Sequence, residues 1–222
     1  MAQHVVKILD AHFVTHNVKR FVIEKPTGYT FIPGQGTDVA INLPGWETKT
    51  RPFTFTGLNG WEHLELIIKI YRDHDGVTEQ LGKLNEGAEL LLHDVFGTIT
   101  YKNPGVFIAG GTGITPFIAI FRDLYKRKKI FGNKLIYSER TSQDIILGEE
   151  LLTMLGENFV PTFTRENVIG FLDKHIDRNF LIENIADFGQ DFYVCGPEDF
   201  VKKVTSLLLE LGANPESLVI EK

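Results

Sequence analysis

The sequence predicts two unlike parts in series, an antiparallel β-barrel or sandwich and then a parallel, Rossmann-like α/β domain. Three observations predict it. Up to about residue 102 the chain consists of short runs rich in Val, Ile, Phe and Thr, broken by Gly and Pro. After Asn103-Pro104-Gly105 the pattern changes to strands alternating with amphipathic helices, which implies parallel strands joined by crossovers. The change is marked by GGTGITPF, Gly110 to Phe117, between the buried-type strand VFIA and an apolar helical run. The expected domains are therefore 1–102 and 103–222.

In the first part, HVVKILDAHFVTHNVKRFVIEK reads as strand with partial alternation, and TGYTFIPGQGTDVAINLPG follows it, interrupted by glycine and proline. RPFTFTG, HLELIIKIY and AELLLHDVFGTITY complete the series, the last after a turn at Asn85-Glu86-Gly87. One helix is expected among them, opening at Thr78-Glu79-Gln80-Leu81 after Asp75-Gly76.

In the second part, VFIAG is a strand and PFIAIFRDLYKRKK a helix with a basic last turn. KLIYSE, FVPTFTRE and DFYVCGP are the further strands. DIILGEELLTMLG, most of FLDKHIDRNFLIENI, and EDFVKKVTSLLLELG are the further helices, the last ending at Gly212.

Composition narrows the function. A hydrophobic fraction of 43% and a charged fraction of 23% are those of a globular protein. A net charge of −6 argues against general nucleic-acid binding. The single cysteine cannot form an intrachain disulfide, and no cysteine cluster offers a metal or iron–sulfur site. The seven His are scattered without ligand spacing, so no metal is expected. The first residues lack the apolar core of a signal peptide. No apolar run reaches the roughly 18 residues of a membrane span. A reduced cytoplasmic setting is the expectation.

The glycine loop carries the first chemical signal. Glycines after a buried strand let the backbone turn sharply and approach a ligand. Thr115 is typed for the N-cap and Pro116 for the first helical position, so the proline starts the helix. The N–H groups and positive dipole end of such a helix form a phosphate site, to which Gly111, Thr112 and Gly113 would contribute. Ser138 and Arg140, and likewise Thr164 and Arg165, fall at the carboxyl ends of the next two strands, where open α/β sheets bind ligands. The two arginines favour NADPH, whose 2′-phosphate they would accommodate, while Glu139 keeps NADH open through its ribose hydroxyls.

RPFT (Arg51–Thr54), GGTGITP and YVCGP, in this order and at these separations, resemble the ferredoxin–NADP(H) reductase superfamily over essentially the whole chain. The resemblance implies a flavin-binding β-barrel followed by an NAD(P)-binding domain, with FAD (or FMN) as cofactor and NADPH or NADH as co-substrate. It implies that Arg51 binds flavin phosphate, that Pro52 belongs to the flavin-binding segment, that Phe53 sets an aromatic face beside the isoalloxazine, and that Thr54 offers its hydroxyl to flavin N5. Ile68, Lys69 and Ile70 would run along the flavin, and Gly76, Val77 and Thr78 would hold the pyrophosphate. VFGTI, Val95 to Ile99, resembles the segment at the domain junction. Cys195 would lie near nicotinamide C4, with Gly196 and Pro197 shaping the turn; Thr54 and Cys195 are the expected catalytic pair.

Two departures stand out. Many relatives end in an aromatic that covers the flavin, whereas SLVIEK has none, and only Glu221 offers a match to a terminal acid. The first domain also lacks a dedicated adenine-stacking segment. The implied activity is hydride transfer from NAD(P)H to flavin, then electron delivery to a small carrier such as flavodoxin or ferredoxin. The alternatives are reduction of free flavin as substrate, and an electron-transfer subunit of a larger complex. Lys126-Arg127-Lys128-Lys129 reads first as a solvated helix end and second as a docking patch for an acidic carrier.

Overall fold

Alternating apolar residues in the first part fold into six antiparallel strands: β1 (His4–Phe13), β2 (Val18–Glu24), β3 (Gly36–Ile41), β4 (Arg51–Thr54), β5 (His63–Lys69) and β6 (Glu89–Phe96). The computed structural model describes residues 3–72, 75–97, 99–166 and 175–220. The sheet order is β4-β3-β6-β1-β2-β5. An antiparallel bridge between Phe55 and Leu66 joins its two outer strands, and the Thr56 N–H donates to the Glu65 carbonyl at 3.0 Å. These bonds close the sheet into a barrel. Phe21, Ile23, Val39, Ile41, Phe55 and Leu66 fill its interior, where Phe31 stacks on Phe55 at 4.3 Å. Helix α1 (Val77–Lys83) adds Val77 and Leu81 to this core.

The second part builds β7 (Gly105–Gly110), α2 (Thr115–Lys126), β8 (Lys134–Glu139), α3 (Gly148–Leu155), β9 (Phe159–Phe163), α4 (Arg178–Asn184), β10 (Asp191–Cys195), α5 (Glu198–Glu210) and β11 (Leu218–Ile220). The five strands are parallel, in the order β11-β10-β7-β8-β9. Numbered within the domain this is 3-2-1-4-5 read from β9, and the order reverses between β7 and β10. That reversal is where doubly wound sheets bind ligands. Phe107, Tyr137 and Tyr193 pack with α2 and α3 on one face, while Val106, Ile136 and Phe192 pack with α4 and α5 on the other.

The two parts are joined by more than a linker. Val18, Ile67 and Ile99 belong to the same buried cluster as Phe107 and Phe117. The Lys102 and Asn103 N–H groups donate to the Tyr193 hydroxyl at 2.9 and 3.1 Å, and that hydroxyl donates to the Asn103 carbonyl at 2.8 Å.

Three local expectations are corrected. Thr115 does not cap α2: a 3₁₀ turn over Gly111–Ile114 comes first, and the Thr115 hydroxyl donates back to the Thr112 carbonyl at 3.0 Å. Helical winding thus begins at Gly111, five residues before the expected first position at Pro116, because glycines admit the tight turn that carries the strand into the helix. Pro116 accordingly sits in the second helical position. DIILGEELLTMLG is helical only from Gly148, since Leu147 adopts φ +52° and breaks the run. The helix expected across FLDKHIDRNFLIENI starts at Arg178, where the Asp177 carboxylate accepts from the Phe180 N–H at 2.8 Å. Residues 167–174, Thr98 and Glu221 lie outside the described residues. SLVIEK contributes a strand, β11, that its sequence does not announce; it is only three residues long.

Candidate active site

A cleft lies where the barrel meets the reversal point of the parallel sheet. Its inner part is a cavity of about 590 Å³. The barrel side of its wall comes from Pro52, Phe53 and Thr54 of β4 with Ile67, Ile68 and Lys69 of β5. The opposite side comes from Thr112, Gly113 and Thr115 after β7 and from Cys195 at the end of β10 with Gly196 and Pro197 beyond it. A second cavity of about 550 Å³ is lined by Gly111, Ser138, Glu139, Arg140 and Thr164 at the strand ends and by Ile70 of the barrel. Lys69, Tyr71 and Pro197 border both, so the cavities are contiguous.

Glycines shape the inner cavity. A Cβ on Gly113 would lie 2.6 Å from the Gly196 nitrogen and closer still to the Cys195 carbonyl, so only glycine lets the loop press against the end of β10. Gly111 has φ +58° and open space where a side chain would be, leaving backbone facing the cleft. A Cβ on Gly36 would run into the Phe53 carbonyl and lie 3.0 Å from the Thr54 Cα. β3 therefore approaches the cavity-lining segment of β4 closely.

Sequence reading and structure agree unevenly on individual residues. Phe53 and Thr54 are half-buried in the cavity wall, and Cys195 is buried there at 2% exposure. Thr78 of α1 borders the same cavity, whereas Gly76 and the buried Val77 do not. Gly76, not Thr78, occupies the α1 N-cap position. Arg51 is exposed, lines neither cavity, and donates to the Thr50 carbonyl at 2.8 Å. Pro116 is buried behind the loop and lines neither cavity. Arg165 is exposed; its N–H donates to the Arg140 carbonyl at 2.9 Å, which holds the two arginines on neighbouring turns.

Residues that sequence reading did not single out also line the cleft, among them Gly34, Asn17 and Arg72, and so do Tyr71 and Phe96, which fall inside the IIKIY and VFGTI segments without being named individually. Tyr71 and Phe96 are 49% and 44% exposed, and exposed aromatics beside a cavity are a structural signal with no local sequence signature. Lys126 ends α2, about 18 Å along the helix from the glycine loop. The basic cluster therefore lies away from the cleft.

The cleft has distinctive electrostatics. Glu139 is 7% exposed at the end of β8 and accepts a hydrogen bond from Tyr137 at 3.0 Å. Burial pushes its carboxyl above the usual range, and the Lys69 cation pulls partly the other way. Burial, with the Glu139 charge beside it, drives the Tyr137 hydroxyl up as well. Among the described residues no group of three or more His, Cys, Asp or Glu could hold a metal, and no helix is long and apolar enough to cross a membrane.

A closed antiparallel barrel set against a Rossmann-order sheet, with a glycine loop facing a barrel strand across their junction, defines the two-domain fold of ferredoxin–NADP(H) reductases. Residues 107–206 match the family model of the oxidoreductase NAD-binding domain. A ferredoxin NADP⁺ reductase from Neisseria gonorrhoeae, solved with bound FAD and NADP, superposes with a TM-score of 0.85 at 23% identity, covering 99% of this chain and 98% of that one. In sequence, NADH–cytochrome b5 reductase 1 of Arabidopsis thaliana is 29% identical over 95% of this chain and 80% of its own length. The flavohemoprotein of Bacillus subtilis is 27% identical over 86% of this chain, which spans only 51% of that protein.

Proposed function

We propose that this chain is an NAD(P)H-dependent flavoprotein reductase that holds FAD on the barrel side of the cleft and the nicotinamide coenzyme on the α/β side. One observation carries the reading: β4 and β5 face the Gly113 and Cys195 turns across a single cavity at the point where strand order reverses. The cavity fits a flat ring system, because glycine backbone and the Pro52, Phe53 and Thr54 segment form its walls. The relatives named above as reductases, one solved with FAD and NADP, support it.

A flavin held there would supply the chemistry of hydride acceptance from the nicotinamide and one-electron release to a small carrier. The protein's own tasks are holding, orienting and drying. Phe53 and Thr54 present a ring face and a hydroxyl, with Ile68 and Lys69 beside them. Thr78 and its turn, Gly76 to Thr78, serve the pyrophosphate. Gly111, Thr112 and Gly113 offer N–H groups to coenzyme phosphates, and Thr115 fixes that turn through its bond to Thr112. Cys195, Gly196 and Pro197 form the wall opposite the barrel. Tyr71, bordering both cavities, is the aromatic at their junction. Ser138, Arg140, Thr164 and Arg165 gather at the strand ends as the 2′-phosphate subsite, which favours NADPH. The carrier is of the flavodoxin or ferredoxin kind.

The exposed position of Arg51 favours a second reading, in which flavin is a loosely held substrate. An absorbance spectrum of the purified protein, followed by anaerobic titration with each nicotinamide, tests both. Stoichiometric flavin bleached by NADPH supports the reductase, a colourless protein that reduces added flavin supports the second reading, and failure to bleach with either donor refutes both. Arg51→Ala should leave the fold intact and weaken flavin retention by roughly tenfold or more, through loss of one charged hydrogen-bond partner. Equilibrium dialysis measures it, and an unchanged dissociation constant would remove Arg51 from the site.

A further inference from the structure

A cluster of buried charges lies between the domains, outside both cavities of the cleft. Glu65 of β5 has no side-chain exposure. It accepts from Arg122 of α2 at 2.5 Å, from Arg20 of β2 at 2.5 Å and from the Thr56 hydroxyl at 2.7 Å. The Arg122 guanidinium, itself 10% exposed, also donates to the Thr56 carbonyl at 2.9 Å. Its remaining face grips both carboxylate oxygens of Glu150 on α3, at 2.5 and 2.8 Å. The Trp61 ring lies 5.3 Å from the guanidinium carbon. One side chain thus ties the barrel to two helices of the α/β domain.

Such a cluster is a poor source of stability, since desolvation offsets much of its attraction; its distinctive property is fixed geometry. Burial alone would raise the Glu65 carboxyl, yet the arginines and Thr56 outweigh it and hold it below the usual range. The carboxylate is therefore charged, and its partners are confined to the positions that satisfy it.

The location of the cluster gives that geometry a use. Arg122 is seven residues along α2 from Thr115, about 10 Å of rigid helix. Glu65 is two residues before Ile67 on the strand that lines the inner cavity, and Thr56 is two residues past Thr54. We infer that Arg122 is a positioning residue, whose clamp on Glu65, Thr56 and Glu150 sets the spacing between the two walls of the cleft and so registers the coenzyme against the flavin. The inference rests on the reductase reading and deepens it. Lysine could not substitute, because a single ammonium lacks the fork that satisfies three acceptors in a plane.

The test uses the full chain with flavin bound. Arg122→Gln and Arg122→Lys should retain flavin and unfold cooperatively, while the rate of flavin bleaching at saturating coenzyme falls roughly ten- to a hundredfold, the size expected for reactants misplaced by about 1 Å. Glu150→Gln, which cuts only the α3 arm, should lose less than either, and Arg127→Gln, in an exposed pair with Asp123, should match wild type. A wild-type rate in both Arg122 variants, or an equal loss in Glu150→Gln, would overturn the inference. A readout independent of activity separates it from the reductase reading: spin labels on Glu86→Cys and Glu157→Cys, one exposed site per domain, report the interdomain distance. The distribution should broaden in Arg122→Gln, and an unchanged one refutes the clamp whatever the enzyme does. If wild type is bleached by neither nicotinamide, the reductase reading fails and the label distances alone decide the clamp.

Discussion

Gly113→Ala is expected to lower stability by about 3 kcal/mol and to abolish measurable coenzyme binding. The added methyl would meet the Cys195 carbonyl and the Gly196 nitrogen, which are main-chain atoms at the end of a buried strand and cannot rotate aside. Overpacking typically costs about 1–3 kcal/mol, and a clash with backbone belongs at the upper end of that range. Relief requires the loop to lift away from β10, which moves the N–H groups of Gly111 to Gly113 out of the wall they form. Gly111→Ala is the informative contrast. Its Cβ meets nothing within 4 Å, and the penalty is the left-handed backbone at φ +58°, about 1–2 kcal/mol. Urea titration reads both, and a wild-type midpoint in Gly113→Ala would show that the loop does not press on β10.

Phe107→Ala should be costlier still, about 3–5 kcal/mol for a fully buried aromatic. The ring lies beneath the site: Tyr193 of β10 stacks on it at 4.2 Å, while Phe121 and Phe117 of α2 meet it edge-on at 4.7 and 5.0 Å. Its loss opens a void under both turns that line the cleft. For a chain of this length the melting temperature should fall by roughly 6 to 20 °C. A shift of a degree or two would mean that Tyr193 and α2 collapse into the space.

What the sequence made legible follows from the range of the forces involved. Alternation in HLELIIKIY and the strand–loop–helix pattern at GGTGITPF are local, and both produced the elements expected. The helix start was displaced because Thr115 obeys the capping rule in isolation, while the glycines before it already wind as a 3₁₀ turn. The break at Leu147 is hidden for a similar reason, since a leucine in left-handed backbone has no signature in the apolar pattern. The contacts that build the cleft are of another kind. Gly113 against Cys195, or Glu65 against Arg122, join residues more than fifty positions apart, and nothing in either neighbourhood names its partner. The motifs marked which turns matter, but only the fold shows that Arg51 stands outside the cavity its neighbours line.

The two sheets differ in what they offer to other chains. Closure of the barrel through the Phe55–Leu66 bridge and the Thr56 N–H to Glu65 bond covers the outer strands there against extension by a foreign segment. Among the described residues the parallel sheet ends in β9 and β11, and each margin is blunted. β9 carries Pro161, whose ring nitrogen has no hydrogen to lend, and β11 has three residues, too few for a lasting ladder. Self-association by adding strand to strand is thereby discouraged at these margins.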